Sequence, residues 1–237
     1  MSTVIDFHSH ILPEVDDGSQ SPEQSVAMLQ MEAAQGIRHV IATPHFYAQH
    51  DKPEKFLRKR DEALRRLQQA MDSIEGLPEI SVGAEVYYFN GISDSDVLKE
   101  LTIGKKRFIL IEMPLPPWTD RMYRELENIC IKQNLIPIVA HVDRYIAPFH
   151  TYHIPERLER LPVMVQANAS FFLEKSTRGM AYRMLKQGRI HLLGSDCHNL
   201  TDRAPNLGEA VRGIEKKFGS AMIDFINDHE YEVLESV

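Results

Sequence analysis

The chain has 237 residues, of which 43% are hydrophobic and 26% charged, as in an ordinary globular protein; this excludes disordered, collagen-like and membrane-spanning chains. Lys and Arg total 27 against 34 Asp and Glu, a formal net charge of −7 that argues against nucleic acid as the main partner. The N-terminus lacks the pattern of a signal peptide, and two cysteines are too few for a disulfide framework. We therefore expect a cytoplasmic protein without membrane insertion.

Short apolar, β-rich segments recur along the chain and are separated by segments long enough for helices. The predicted strands, seven in number, are Val4–Phe7, Ile37–Ala42, Ile80–Val82, Phe108–Ile111, Ile136–Ala140, Val163–Ala167 and His191–Leu193. Helices are predicted from Pro22, with Ser21 as N-cap, to Gly36, and at about Pro53–Ser73, Thr119–Gln133, Thr177–Gln187 and Asn206–Asp228. This alternation, uninterrupted over residues 1–237, predicts a single-domain parallel α/β barrel. An open doubly wound sheet is the alternative, although the sequence lacks the GxGxxG and phosphate-loop motifs typical of nucleotide-binding versions.

Acidic and histidine side chains follow six of the seven predicted strands. The carboxyl ends of parallel barrel strands meet at one mouth, so we expect these side chains to converge there. The candidate metal ligands are His8, His10, Asp17, His45, Glu85, Glu112, His141, Asp196 and His198. So many carboxylates and imidazoles in a small mouth require compensating cations. The mixture of nitrogen and oxygen ligands favours manganese, iron or zinc, and Asp6 is a candidate acceptor for an imidazole N–H.

The sequence resembles the polymerase and histidinol phosphatase (PHP) superfamily. The resemblance is carried by DFHSH at residues 6–10, Asp17, TPH at 43–45, GAE at 83–85, IEMP at 111–114, His141 with Arg144, and SDCH at 195–198. Within that superfamily, HSHILPEVDDG at residues 8–18 is similar to the opening of the manganese-dependent bacterial tyrosine phosphatases of capsule and exopolysaccharide systems. The resemblance implies a distorted (β/α)7 TIM-like barrel with three divalent metal ions, manganese in the first place.

The same resemblance implies three ligand sets. They are His8, His10, Glu85 and Asp196 for the first metal; Glu85, Glu112 and His141 for the second; and Asp17, His45 and His198 for the third. Carboxylates at Asp17 and Glu112 favour the tyrosine-phosphatase branch over histidinol phosphatase. The sequence departs from the superfamily's frequent His-Pro-Glu-Arg after strand five, reading His141-Val-Asp-Arg144.

The expected reaction is hydrolysis of a phosphotyrosine protein, by analogy an autophosphorylated tyrosine kinase of polysaccharide export, through attack of a metal-bound hydroxide on phosphorus. Arg144 and Arg203 follow strands five and seven and are the candidate phosphate-binding catalytic residues. Alternatives are a small-molecule phosphomonoesterase such as histidinol phosphatase, an inactive PHP-like binding module, and an amidohydrolase barrel. Cys197 and Arg203 also have the C-x5-R spacing of cysteine-dependent tyrosine phosphatases, but the intervening residues contain no glycine.

Overall fold

Parallel strands form the frame of the protein. The computed structural model describes residues 4–103, 107–148 and 152–235. Its strands are β1 (Ile5–Ser9), β2 (His39–Ala42), β3 (His45–Phe46), β4 (Glu79–Val82), β5 (Glu85–Tyr87), β6 (Phe108–Glu112), β7 (Ile136–Val139), β8 (Met164–Asn168) and β9 (Leu192–Gly194). One parallel set has the order β1-β2-β4 and the other the order β3-β5-β6-β7-β8-β9.

Helices follow the strands and cover the outside of the curled sheet. They are α1 (Pro22–Ala34), α2 (Pro53–Met71), α3 (Asp120–Gln133), α4 (Asp143–Ile146), α5 (Ile154–Leu158), α6 (Ala169–Leu173), α7 (Arg178–Lys186), α8 (Leu207–Phe218) and α9 (Ser220–Glu235), with short 3-10 helices at Ile92–Asp94 and Asp96–Glu100. The start of α1 is as predicted, because the Ser21 hydroxyl accepts a hydrogen bond from the Gln24 backbone N–H at 3.2 Å.

The parallel α/β architecture of a TIM-like fold is confirmed, but the count of seven strands is not: the described residues form nine. The two additional strands, β3 and β5, follow the second and third predicted strands after the two-residue breaks Thr43-Pro44 and Gly83-Ala84. Pro44 has no backbone N–H to continue the ladder. A side chain at Gly83 would approach Ile103 Cγ1 to 2.5 Å, so the chain passes closely there.

The predicted helix Asn206–Asp228 is wrong as a single element, because it breaks into α8 and α9 at Gly219. Gly219 has φ 84°, a conformation that glycine adopts readily and that ends an α-helix. After this break α9 packs against β1 and β9. None of the helices in the described ranges is long and apolar enough to cross a membrane.

Asp6 joins the first and last strands on the carboxyl side of the sheet. Its carboxylate accepts hydrogen bonds from the backbone N–H of His8 at 3.1 Å and of Ser195 at 2.8 Å, and another from the Ser195 hydroxyl at 2.5 Å. The Asp196 N–H also donates to the His8 carbonyl at 2.7 Å. The segment after β1 and the segment after β9 therefore lie side by side, which brings their side chains to one mouth.

A buried carboxyl group connects α9 to β1. Glu230 is fully buried, and its Oε2 accepts the Ile5 backbone N–H at 2.9 Å. Burial raises the pKa of Glu230 well above its usual range, with the Asp6 carboxylate adding to the effect. The folded state therefore holds a proton more tightly than the unfolded state. Its contribution to stability is full below the unfolded pKa and is lost as the pH rises through the folded pKa.

We predict that Glu230→Gln raises the free energy of unfolding at pH 8 by roughly 1–3 kcal/mol, because the amide keeps the acceptor without the buried charge. The gain should shrink at pH 5, where wild type already carries the proton. Urea unfolding at both pH values measures this, with Glu232→Gln on an exposed position of the same helix as control. Equal stability of Glu230→Gln and wild type at pH 8 would contradict this account of the α9 contact.

Candidate metal centre

All nine predicted ligands meet on one side of the sheet, although His45 and Glu85 are the first residues of β3 and β5 and do not end a strand. His8 lies in β1, and His10 directly follows the strand. Because the two residues are two positions apart on extended backbone, both imidazoles point to the same side. His45 and Glu85 are opposite one another in the β3–β5 pair. The remaining five residues come from strand ends and from the loops that follow them. The strand-end pattern in the sequence thus identified a real spatial cluster.

Four ligand atoms form the most buried part of the cluster. Nε2 of His8 and Nε2 of His10 lie 3.1 Å apart. Glu85 Oε2 is 3.2 Å from the first nitrogen and 3.4 Å from the second, and Asp196 Oδ1 is 3.7 Å and 3.5 Å from them. These four residues are those predicted for the first metal, and each is at least 96% buried. Their donor atoms converge on one point between them.

Glu85 extends the cluster toward a second group of ligands. Its Oε1 lies 2.7 Å from His141 Nε2, and the same nitrogen is 3.7 Å from Glu112 Oε1. His45 Nδ1 lies 2.9 Å from Glu85 Oε2 and 3.9 Å from Glu112 Oε2. Glu85, Glu112 and His141, the residues predicted for a second metal, thus lie close together, and His45 also adjoins both carboxylates.

A third group lies toward solvent. His10, Asp17, His45 and His198 offer donor atoms that all lie within 4.8 Å of one another. Asp17 Oδ1 is 3.6 Å from His45 Nε2 and 3.5 Å from His198 Nε2, and its side chain is 68% exposed. Every residue predicted for the third metal belongs to this group, and His10 adjoins it.

The buried nitrogen and oxygen atoms of these side chains are suited to binding divalent metal ions, because several of them lack a hydrogen-bond partner in the protein. Buried atoms without a hydrogen-bond partner include His198 Nε2, together with His45 Nδ1 and Glu85 Oε2, which face each other 2.9 Å apart. Buried polar atoms normally have partners, so unsatisfied imidazole and carboxylate atoms that face a shared space fit the binding of a cation there. The set consists of imidazole nitrogens and carboxylate oxygens, which suits manganese, iron or zinc.

The pKa values of neighbouring carboxylates are driven apart. Burial alone would raise the pKa of Glu85, but the surrounding imidazoles, His8 first, hold it well below its usual range. Burial, reinforced by the Glu85 charge, raises the pKa of Glu112 to about 7. Burial would lower the pKa of His10, yet the Asp16 and Glu85 carboxylates raise it to about 10. The raised pKa of His10 favours its protonated form, which compensates the neighbouring carboxylates.

Two of the ligands have a strained backbone. His141 has φ 30° and Asp196 has φ 54°, in the left-handed region that residues with a Cβ rarely adopt. His141 is the second residue after the end of β7, and Asp196 is the second residue after the end of β9. Such strain costs of order 1–3 kcal/mol per residue and is found where surrounding contacts impose it, commonly at functional sites. Here it turns both side chains into the mouth.

Arg144 and Arg203 both reach the mouth, as the sequence suggested. An Arg144 nitrogen, Nη2, contacts Asp196 Oδ2, and Arg203 Nη2 donates to Asp196 Oδ1 at 2.7 Å. Each arginine side chain is 37% exposed, so a face of each guanidinium remains open to solvent. The two arginines flank a cleft of about 290 Å³ that opens beside Asp196.

Sequence reasoning missed Asp16, the neighbour of a predicted ligand. Its Oδ2 lies 2.7 Å from His10 Nδ1 and accepts the His45 backbone N–H at 3.0 Å, and its Oδ1 accepts the Gly18 N–H at 3.0 Å. Asp16 thus orients the His10 imidazole and fixes the backbone at His45. The Asp-Asp pair in the sequence was the available signal. The imidazole-acceptor role predicted for Asp6 is wrong, because its carboxylate turns to the backbone of β1 and to Ser195 instead.

The structure disfavours Cys197 as a nucleophile. Its side chain is fully buried, and it groups with Asp6 and Glu32 rather than with the mouth. Burial, together with those two carboxylates, raises the pKa of the Cys197 thiol well above its usual range. A thiol that resists ionisation is a poor nucleophile. Arg203 contacts Asp196, so the C-x5-R spacing does not form a thiolate–arginine pair.

Fold and mouth together define a TIM-like α/β protein with a histidine- and carboxylate-lined site for divalent metals. The family model for capsular polysaccharide synthesis, CpsB/CapC, matches residues 4–233. The chain belongs to this family.

Similar proteins agree with that assignment. The chain is 30% identical to the tyrosine-protein phosphatase CpsB of Streptococcus agalactiae, with 91% of each chain covered. It is 29% identical to the tyrosine-protein phosphatase YwqE of Bacillus subtilis, with 92% of this chain and 87% of the relative covered. A crystal structure reported for YwqE from Bacillus subtilis and CpsB from Streptococcus pneumoniae, described as metal-dependent tyrosine phosphatases, matches with TM-score 0.84 and 25% identity over 98% and 94% of the two chains.

We predict that Asp16→Asn weakens binding of Mn²⁺ about 10- to 100-fold, the usual effect of removing a group that orients a metal-ligating histidine. The amide cannot hold His10 as the carboxylate does. Competition of the metal-free protein with a fluorescent chelator measures the affinity. Asp61→Asn, on an exposed turn of α2, is the matched control and should bind as wild type does. Wild-type affinity in Asp16→Asn would show that Asp16 does not support the ligands.

Proposed function

We propose that the protein is a metal-dependent tyrosine-protein phosphatase of capsular polysaccharide synthesis. The single observation that carries the proposal is the convergence of nine nitrogen- and oxygen-bearing side chains beside two arginines that contact the two oxygens of Asp196. The relatives' activity and the CpsB/CapC family membership support the choice of phosphotyrosine as the substrate. The chain works as one domain.

The proposed ligands form three sets for three divalent ions, with manganese first among the candidates. His8, His10, Glu85 and Asp196 hold one ion; Glu85, Glu112 and His141 hold a second; and Asp17, His45 and His198 hold a third. When bound, such ions supply activation of water and neutralisation of phosphoryl oxygens. The fully buried imidazoles of His8 and His10 and the carboxylate of Glu85 fix the inner end of the site.

Arg144 and Arg203 are the proposed phosphate-binding residues. Their guanidinium groups present paired N–H donors suited to phosphate oxygens, and both contact a carboxylate on the wall of the mouth. Asp196 holds the two groups in place, with their half-exposed faces toward solvent. Their positive charge stabilises negative charge that develops on the phosphoryl group during the reaction.

The phenyl ring of the substrate is recognised by Tyr47 and Tyr87. The Tyr47 ring lies 5.5 Å from the His45 ring and 5.7 Å from the Tyr87 ring, and the residue is 37% exposed. Burial, with the Glu112 and Glu85 carboxylates next in effect, raises the pKa of Tyr47 to about 12. Tyr88 and Trp118 are buried and bond to Glu125 and to the Pro114 carbonyl, so they pack the loops instead.

The proposed substrate protein is an autophosphorylated tyrosine kinase of the same polysaccharide system, and the proposed location is the cytoplasm. A small-molecule phosphomonoester such as histidinol phosphate remains the alternative substrate. The exposed tyrosine at the mouth favours an aryl ester over an alkyl ester.

The decisive experiment is phosphate release from a phosphotyrosine peptide with Mn²⁺ and with excess chelator. We expect activity with Mn²⁺, complete loss on chelation and recovery when metal is restored. Cys197→Ser should retain wild-type activity, since its thiol lies outside the mouth, whereas His141→Ala should lose at least 100-fold. Activity that survives chelation but disappears in Cys197→Ser would overturn the proposal. No peptide turnover by metal-loaded protein, with turnover of histidinol phosphate, would select the alternative.

Substitution at Tyr47 tests the aryl subsite. We predict that Tyr47→Leu raises KM for the phosphotyrosine peptide about 3- to 10-fold, because an aromatic contact contributes about 0.5–1.5 kcal/mol. KM for a phosphoserine peptide should not change. Tyr47→Phe keeps the ring and is the matched control, with KM near wild type. If Tyr47→Leu changes neither KM, the substrate ring binds elsewhere.

A further inference from the structure

The end of β8 is the only predicted strand end that supplies neither His, Asp nor Glu; it reads Gln166-Ala167-Asn168. Gln166 is fully buried and Asn168 is 6% exposed. Both side chains point to the same side of the strand because they are two residues apart. Buried amides require hydrogen-bond partners, and the partners of these two amides are residues of the metal centre.

Hydrogen bonds join the two amides to three of the proposed ligands. Gln166 Oε1 accepts the backbone N–H of His141 at 2.6 Å and lies 3.3 Å from His8 Nδ1. Gln166 Nε2 lies 3.1 Å from Asn168 Oδ1, and Asn168 Nδ2 lies 2.9 Å from Asp196 Oδ2. We call the connected side chains of His8, Gln166, Asn168 and Asp196 the amide relay.

The backbone N–H of His141 can only donate a hydrogen bond, and this sets the direction of every hydrogen bond in the relay. The backbone N–H of His141 donates, so the atom it contacts is the oxygen of Gln166. That oxygen accepts from His8 Nδ1, which therefore carries the proton and leaves Nε2 as the atom with a free lone pair. The Gln166 amino group then donates to Asn168, whose own amino group donates to Asp196. Both ends of the relay meet the first ligand set.

The geometry points to Gln166 and Asn168 as a pair of positioning residues for the metal centre, a role that rests on the proposed metal dependence. Gln166 holds His8 in the tautomer that presents Nε2 toward His10 Nε2, 3.1 Å away. Asn168 holds one oxygen of Asp196, so that Oδ1 faces the two imidazoles. Gln166 also restrains His141, which has the strained φ of 30°.

Close packing leaves the relay little freedom. A Cβ at Gly194 on β9 would lie 2.6 Å from His8 Cβ and 2.9 Å from Gln166 Nε2. The backbone of β9 thus lies against both the imidazole and the amide. The Asn168 backbone N–H donates to Asp143 Oδ1 at 2.9 Å, which fixes the chain where α6 begins. The amides cannot turn without displacing one of these contacts.

Gln166→Met and Asn168→Leu test the pair, since each keeps the approximate shape and removes the amide. The probe is Mn²⁺ alone, added to metal-free protein and followed by calorimetry and by chelator competition. We expect each variant to bind Mn²⁺ about 10- to 100-fold more weakly at the tightest site, as is typical when a group supporting a ligand is lost. Asn227→Leu, a 6%-exposed amide on α9, is the matched control and should bind as wild type does.

A double variant distinguishes a relay from two separate contacts. Because the residues act through one hydrogen-bonded chain, Gln166→Met/Asn168→Leu should lose less affinity than the product of the two single losses. Thermal melting of the metal-free proteins measures the stability of the fold. We expect the loss of Mn²⁺ binding free energy to exceed any loss of folding stability. Should Gln166→Met fail to fold, Asn168→Leu, which leaves both acceptor bonds of Gln166 intact, carries the test.

Two results would overturn the inference. One is Mn²⁺ affinity equal to wild type in folded Asn168→Leu and Gln166→Met. The other is a loss of Mn²⁺ affinity that disappears when each variant and wild type are measured at the same number of degrees below their own melting temperatures. Failure of the proposed phosphatase activity is a separate outcome, since wild-type protein that binds Mn²⁺ and hydrolyses no phosphotyrosine peptide still permits every measurement described for the relay.

Discussion

Two almost fully buried carboxylates, Glu85 and Asp196, set the electrostatic constraint to which the carboxyl end of the sheet conforms. A charge in a poorly solvated site is costly unless opposite charge and hydrogen bonds surround it. His8, His10, His45 and His141 surround Glu85, and two guanidinium groups with Asn168 surround Asp196. Burial would raise both pKa values, but the imidazoles, His8 first, hold the pKa of Glu85 below its usual range, and His8, Arg144 and His10 do the same for Asp196. The arginines that suit a phosphate thus also compensate a ligand in the metal-free chain.

The convergence of the candidate ligands was predictable because it depends on local order along the chain. In a parallel barrel the residue after each strand reaches the mouth, and a period of two puts His8 and His10 on one side. The short strands β3 and β5 were not predicted, because the apolar runs before them end at Ala42 and Val82, whereas backbone pairing continues beyond those ends. The Gly83 N–H still donates to the Ala42 carbonyl at 2.9 Å.

Residues that support the ligands were harder to find from the sequence. Asp16 and Asp17 are adjacent and chemically alike, and only the turn decides that Asp16 contacts His10 while Asp17 faces solvent. Gln166 and Asn168 are neutral, so no argument from charge selects them. Cys197 shows the converse, because its spacing to Arg203 suggested a mechanism that burial and the direction of the arginine disfavour. Such assignments require the orientation of a side chain, which spacing does not contain.

Strain at His141 and Asp196 ties the site to the packing of three neighbouring strands. Glycine would relieve a φ of 30° or 54° but would remove the ligand, so neither position can meet both demands. The energetic cost of these backbone conformations is offset by hydrogen bonds. The His141 N–H donates to Gln166, and the Asp196 N–H donates to the His8 carbonyl. Both bonds depend on the order β7-β8-β9 and on its closure against β1. A substitution that loosens this closure therefore acts on the ligands first, because they hold the backbone conformations with the most to gain from relaxing.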